Sequence, residues 1–117
     1  MYLCIFNYMD KEYISNWTSQ LKKGVLPYII LKLLNNEAYY GYELIKEIKN
    51  VLNTGVTDGT LYPILNRMHK DGLLRFEWVE QGSGIPRKYY YLTDSGKDTL
   101  VSMSDVWSVL SRSIKQI

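Results

Sequence analysis

The stretch from Thr57 to Leu92 changes its hydrophobic period abruptly, and few folds accommodate such a change. Leu61, Ile64, Leu65 and Met68 recur at i, i+3, i+4 and i+7, the stripe of an amphipathic helix. Asp71-Gly72 interrupts that period. Leu73 to Gln81 then reads as a strand rich in apolar and aromatic side chains, and Arg87 to Leu92, with its three consecutive tyrosines, as a second. Gly82-Ser83-Gly84 between them is a turn signal of the kind that joins antiparallel strands. The pattern predicts a helix that runs directly into a hairpin.

Two helices are expected before this unit and one after it. Asp10 to Asn35 is helical in pattern, with Leu26, Ile29, Ile30, Leu33 and Leu34 at helical spacing. Pro27 sits either in the first turn of a helix starting near Gly24 or inside a longer helix that it kinks. A second helix spans roughly Tyr40 to Leu52, with Leu44, Ile45, Ile48 and Leu52 on its apolar side, and Asn53-Thr54-Gly55 ends it. The third runs from about Thr57 to Lys70. If Thr57 is its cap, Pro63 is interior and removes one backbone hydrogen bond. If Thr60 is the cap, Pro63 falls in the first turn. Thr93 is expected to cap a long final helix ending near Gln116.

The order helix, helix, helix, hairpin, helix predicts an α+β, mainly helical chain. It is a winged helix-turn-helix domain with a C-terminal dimerisation helix. The expected division is an N-terminal extension over 1–17, a DNA-binding winged helix-turn-helix domain over 18–93 and the dimerisation helix over 94–117. Within the extension, Met9 is read as the natural start and residues 1–8 as an addition.

Composition narrows the function classes. The 117 residues are enough for one domain with a modest core, and 46% hydrophobic with 22% charged residues is an ordinary globular balance. One cysteine, Cys4, rules out an intrachain disulfide and fits a reducing compartment, so a cytoplasmic location is expected. One cysteine and one histidine, His69, cannot furnish a zinc site or a Ser/His/Asp or Cys/His catalytic set. The apolar run Val25–Leu34 is too short to span a bilayer, and Lys32 interrupts it. No enzyme, metal, cofactor or membrane role is expected.

The residues left for function are polar and basic. Opposite its apolar stripe the third helix presents Pro63, Asn66, Arg67 and Lys70, with Thr60 and Tyr62 on the flanks. Arg can bond guanine and Asn adenine through two hydrogen bonds each. The competing reading is an ordinary solvated face. Arg87 and Lys88 follow the hairpin turn, where basic side chains can lie along a phosphate backbone; they are otherwise incidental surface cations. Between Thr57 and Tyr91 bases outnumber acids by a single charge, so two copies of the site are needed for affinity. Leu100, Met103, Trp107, Leu110, Ile114 and Ile117 alternate spacings of three and four, a seam suited to a second subunit. The other reading of that seam is a stripe buried on its own domain.

Three segments then carry a family resemblance. They are YGYELIKEI at Tyr40–Ile48, DGTLYPILNRMHKDGLL at Asp58–Leu74 and GIPRKYYYLTDSGK at Gly84–Lys97. Together they resemble the PadR family of bacterial transcriptional regulators, over about residues 20–100. The resemblance implies a dimeric winged-helix repressor acting on a palindromic operator in double-stranded DNA. It makes Thr60, Tyr62, Asn66 and Arg67 the recognition-helix contacts, Arg87 and Lys88 the wing contacts, and the first and last helices the dimer interface. Two departures stand out. Ile85 occupies a wing position where many members carry Arg, and a single helix follows the wing, as in the short subclass. Some short members resemble multidrug sensors in which a Trp of the last helix stacks on flat aromatic drugs. Trp107, fourteen residues after Thr93, falls at that position and is the candidate contact for a small aromatic effector. It is alternatively a filler of the dimer seam. The rival functions are a winged-helix protein-interaction module and an aromatic ligand-binding protein without a DNA role.

Overall fold

The computed structural model describes residues 2–53, 56–82 and 84–117, with side chains from residue 10 onward. Met1, Thr54-Gly55 at the expected end of the second helix, Ser83 in the turn and the side chains of residues 1–9 lie outside the described residues. The elements are α1 (Tyr2–Asn36), β1 (Tyr39–Tyr40), α2 (Gly41–Leu52), α3 (Asp58–Lys70), β2 (Leu74–Val79), β3 (Arg87–Leu92) and α4 (Asp94–Lys115). α1 is 35 residues long, contains Pro27, and runs straight through the boundary expected between residues 17 and 18. The longer-helix reading of Pro27 is therefore the one adopted. The described helices include none long and apolar enough to cross a membrane.

Local chemistry sets the helix ends. Thr57 caps α3, its hydroxyl accepting from the Thr60 amide at 3.3 Å, so Pro63 is interior. Thr93 caps α4 in the same way, accepting from the Gly96 amide at 2.9 Å. α2 stops at Asn53, which takes a left-handed φ of 53°. Each cap supplies a partner for an amide that helix geometry leaves unpaired, and is worth roughly 0.5–2 kcal/mol.

The sheet is antiparallel in the order β1-β3-β2. Phe76 pairs with Tyr90 and Trp78 with Lys88, which fixes the hairpin register. β1 is a two-residue strand at Tyr39–Tyr40 that pairs with Tyr90 and Tyr89, and its pattern is too short to be read from sequence. The core gathers Leu26, Ile30, Leu31 and Leu34 of α1 with Leu44, Ile45 and Ile48 of α2. Leu61 and Leu65 of α3, with Leu74 and Tyr90 of the hairpin, close it. Ile29 and Leu33, expected on the same stripe, are only partly buried, while Leu31 is fully buried. α1 packs on α2 and β3 and also on α4, so its apolar side is wider than one stripe.

The loop after α3 is gripped by the start of α4. The Thr93 amide donates to the Leu73 carbonyl at 3.1 Å, and the Thr93 hydroxyl donates to the Gly72 carbonyl at 2.6 Å. Gly96 packs so closely that a Cβ there would collide with the Leu73 carbonyl oxygen. Gly24 in α1 has open space where a Cβ would stand. Gly96→Ala is therefore expected to destabilise the fold by about 1–3 kcal/mol, and Gly24→Ala to stabilise it by about 0.5–1 kcal/mol, both measured by urea unfolding. Burial, and secondarily Tyr62, raises the pKa of Tyr90 above its ordinary 10.0. The neutral phenol is thus favoured by folding. Its contribution to stability is whole below pH 10 and is lost as pH rises through the higher folded value. Unfolding midpoints taken across alkaline pH should show that decline, and Tyr90→Phe should flatten it.

Candidate nucleic-acid interface

α3 has two sharply different sides. Leu61 and Leu65 are fully buried and Met68 nearly so, whereas Pro63, Asn66, Arg67 and Lys70 are exposed. The helix is held by its buried stripe, so its polar row faces outward in a fixed orientation. Thr60 is half-buried at the start of that row, its hydroxyl 3.1 Å from that of Thr57. Tyr62 is 40% exposed. Its hydroxyl lies against Gly41 at the start of α2, where an added Cβ would come within 3.0 Å. Tyr62 is therefore shared between the surface and the packing of α3 on α2.

Arg67 points to solvent and pairs with Asp71, one turn on, at 3.4 Å. Both side chains are well exposed, and such a pair is worth under about 1 kcal/mol. The guanidinium can leave Asp71 for a stronger anion at little cost. His69 points the other way: its Nδ1 donates to the Leu74 carbonyl at 3.0 Å and its ring packs on Phe76 at 4.7 Å. It is a strut between α3 and β2.

The two hairpin cations, Arg87 and Lys88, do not share a face of the sheet. Adjacent residues of a strand face opposite sides, and Arg87 and Lys88 are separated in this way. The Lys88 ammonium sits 4.0 Å from the Phe76 ring centroid, with Tyr90 and Trp78 at 5.5 and 5.9 Å. Because Phe76 also contacts His69, Lys88 is on the α3 side of the sheet. Arg87 lies over Tyr40 at 4.4 Å on the other side. Arg75 is held by Glu77 at 2.6 Å and by the Tyr91 ring at 4.3 Å. Of the five bases from Arg67 to Lys88, Lys70 alone has neither an acidic nor an aromatic partner among the described residues. The aromatic partners went unrecognised in the sequence, although Phe76, Trp78 and Tyr90 do alternate in the way that places rings on one face.

The expected dimer seam divides along α4. Leu100 is 7% exposed and belongs to the chain's own core, with Met103 packed against it. Leu100 is thus covered by its own chain. Exposure then rises through Trp107 (42%), Leu110 (51%) and Ile114 (59%). Tyr13, Ile14, Trp17 and Leu21 of α1 are also exposed. Trp107 leans on Tyr28 with ring centroids 6.3 Å apart, and the Tyr28 hydroxyl donates to Ser104 at 3.2 Å. A hollow of about 490 Å³ between α1 and α4, lined by Ile29, Leu33 and Val101 among others, stops short of Trp107.

Comparison with known proteins places this architecture. Residues 30–102 match the model of the transcriptional regulator PadR-like family. A crystal structure of a PadR family transcriptional regulator from Eggerthella lenta superposes with a TM-score of 0.82 at 33% identity, covering 93% of this chain and 95% of that one. A PadR-like transcriptional regulator from Bacillus cereus superposes at 0.77 with 35% identity, covering 83% and 94%. The negative transcriptional regulator PadR of Bacillus subtilis is 35% identical over 78 residues, which are 65% of this chain and 43% of that longer protein. The three segments quoted from the sequence, the α3-to-hairpin unit and these matches agree: the chain belongs to the PadR-like family of transcriptional regulators.

Proposed function

We propose that the chain is a cytoplasmic repressor that binds a palindromic operator in double-stranded DNA as a homodimer and is released by a small aromatic effector. The observation that carries this reading is the outward row of α3, in which Asn66, Arg67 and Lys70 are held exposed by the buried Leu61, Leu65 and Met68 opposite them. A helix presented in this way fits the major groove, where Arg and Asn read base edges. Thr60 and Tyr62 then stand at the flanks. Lys88, on the same side, reaches a phosphate by exchanging its aromatic contacts for a charge-assisted one, and Arg87 serves the far side of the wing. On this reading residues 18–93 form the DNA-binding unit and 94–117 the dimerisation helix.

Dimerisation is supported by apolar surface that the chain cannot cover itself. Trp107, Leu110 and Ile114 of α4 are exposed, as are Trp17 and Leu21 of α1. Large aromatic and aliphatic side chains left uncovered together mark an interaction surface. A two-fold pair would set two α3 helices about one DNA turn apart, roughly 34–36 Å. The negative role named for the Bacillus subtilis relative supports repression. For an effector, Trp107 offers an exposed ring already tilted against Tyr28, and a partner subunit would close the site over it.

Selection from random duplex DNA should return a two-fold-related sequence. Arg67→Ala should weaken binding to it by about 1–3 kcal/mol in a gel-shift titration. Retention with no sequence preference, or none at all, would point instead to a protein-interaction module. Leu110→Glu with Ile114→Glu should yield a monomer in sedimentation and lower operator affinity. A wild-type chain that sediments as a monomer at high concentration would overturn the dimer.

A further inference from the structure

A hollow lies at the start of α3, next to the beginning of its outward row. It has a volume of about 420 Å³ and is built where α1 passes the start of α3. From α1 it takes Ser15, Thr18, Ser19, Lys22 and Lys23, and from the other wall Thr57 and Thr60, over an apolar floor that includes Leu26. Its polar lining is therefore two ammonium groups and five hydroxyls, with no carboxylate. Neither lysine makes an ion pair among the described residues. Ammonium and hydroxyl donors without a competing acid are the chemistry that holds a phosphate.

We infer that Lys22 and Lys23 bind the DNA backbone, so that the nucleic-acid footprint extends from α3 onto α1. The inference rests on the DNA-binding reading above and adds residues that the sequence pattern did not single out. Two observations favour a duplex phosphate as the occupant. Thr60 belongs both to this hollow and to the outward row of α3, so one ligand lying along α3 continues into the hollow. The recognition surface is also short of free charge, because Arg67 and Arg75 are paired with carboxylates and Arg87 and Lys88 face aromatic rings. Two unpaired lysines next to that surface provide what a polyanion needs.

The test uses the full chain and its selected operator. The logarithm of affinity is plotted against the logarithm of salt concentration for wild type, for Lys22→Gln with Lys23→Gln, and for Lys22→Arg with Lys23→Arg. Each lost phosphate contact reduces the slope by about 0.9, so the Gln pair should be shallower by roughly 1–2. Its base preference should be unchanged, since backbone contacts carry no sequence information. The Arg pair should keep the wild-type slope, which separates charge from any structural need for lysine, and circular dichroism checks that α1 is intact. A Gln pair that binds with the wild-type slope overturns this inference and leaves the DNA-binding reading standing. Weaker binding with an unchanged slope overturns it too, since the loss would then be structural. Wild-type protein that binds no duplex removes both. Inorganic pyrophosphate that binds the wild type but not the Gln pair, with both proteins showing the same salt slope on DNA, would assign the hollow to a free phosphate compound and overturn the DNA contact.

Discussion

The orientation of α3 relative to the hairpin and α4 depends on how tightly the turn after α3 is held. The first turn of α4 closes on the Leu73 carbonyl because Gly96 has no side chain to keep it away. Thr93 bonds both Gly72 and Leu73 while capping α4. α3, the hairpin and the last helix therefore meet at one backbone junction. Tilting any of them would cost these hydrogen bonds, each worth about 0.5–1.5 kcal/mol net, and the close fit of Gly96 on the Leu73 carbonyl. The relative orientation of α3 and the wing is a property of this junction more than of the side chains that face outward.

Charge on the outward face is arranged for exchange. Arg67 rests on Asp71, and Lys88 and Arg87 rest on aromatic rings. These contacts are individually weak at exposed positions, of order 1 kcal/mol or less for the ion pair and about 0.5–1 kcal/mol for an exposed cation on a ring. They order the cations without holding them against a phosphate. The same arrangement explains how a chain of net charge +2 belongs to a family of transcriptional regulators. Local presentation counts for more than bulk charge.

The apolar side chains obey a different logic. Most of the large ones converge on the core between α1, α2, α3 and the hairpin. Those that do not are concentrated on the far half of α4 and the early part of α1, where Trp17, Trp107 and Leu110 stand exposed. Two long helix ends are thus left with exposed apolar side chains, and covering such surface is favourable by the hydrophobic effect.

Local order was legible in the sequence wherever it depends on neighbours along the chain. The stripe of α3, the cap at Thr93, the hairpin and the break at Asp71-Gly72 all follow from residues within a few positions of one another. The winged-helix order followed from them. Packing decided the rest. That Leu31 is fully buried and Leu33 only partly, that Leu100 is covered by its own chain, and that Tyr39–Tyr40 adds a strand all depend on elements distant in sequence. So do the partners of Arg87 and Lys88, because which ring a cation meets is set by strand register and by the pleat that turns consecutive residues to opposite faces. Periodicity says which side of an element is apolar; only the assembled tertiary structure says what that side, and the polar side opposite, will touch.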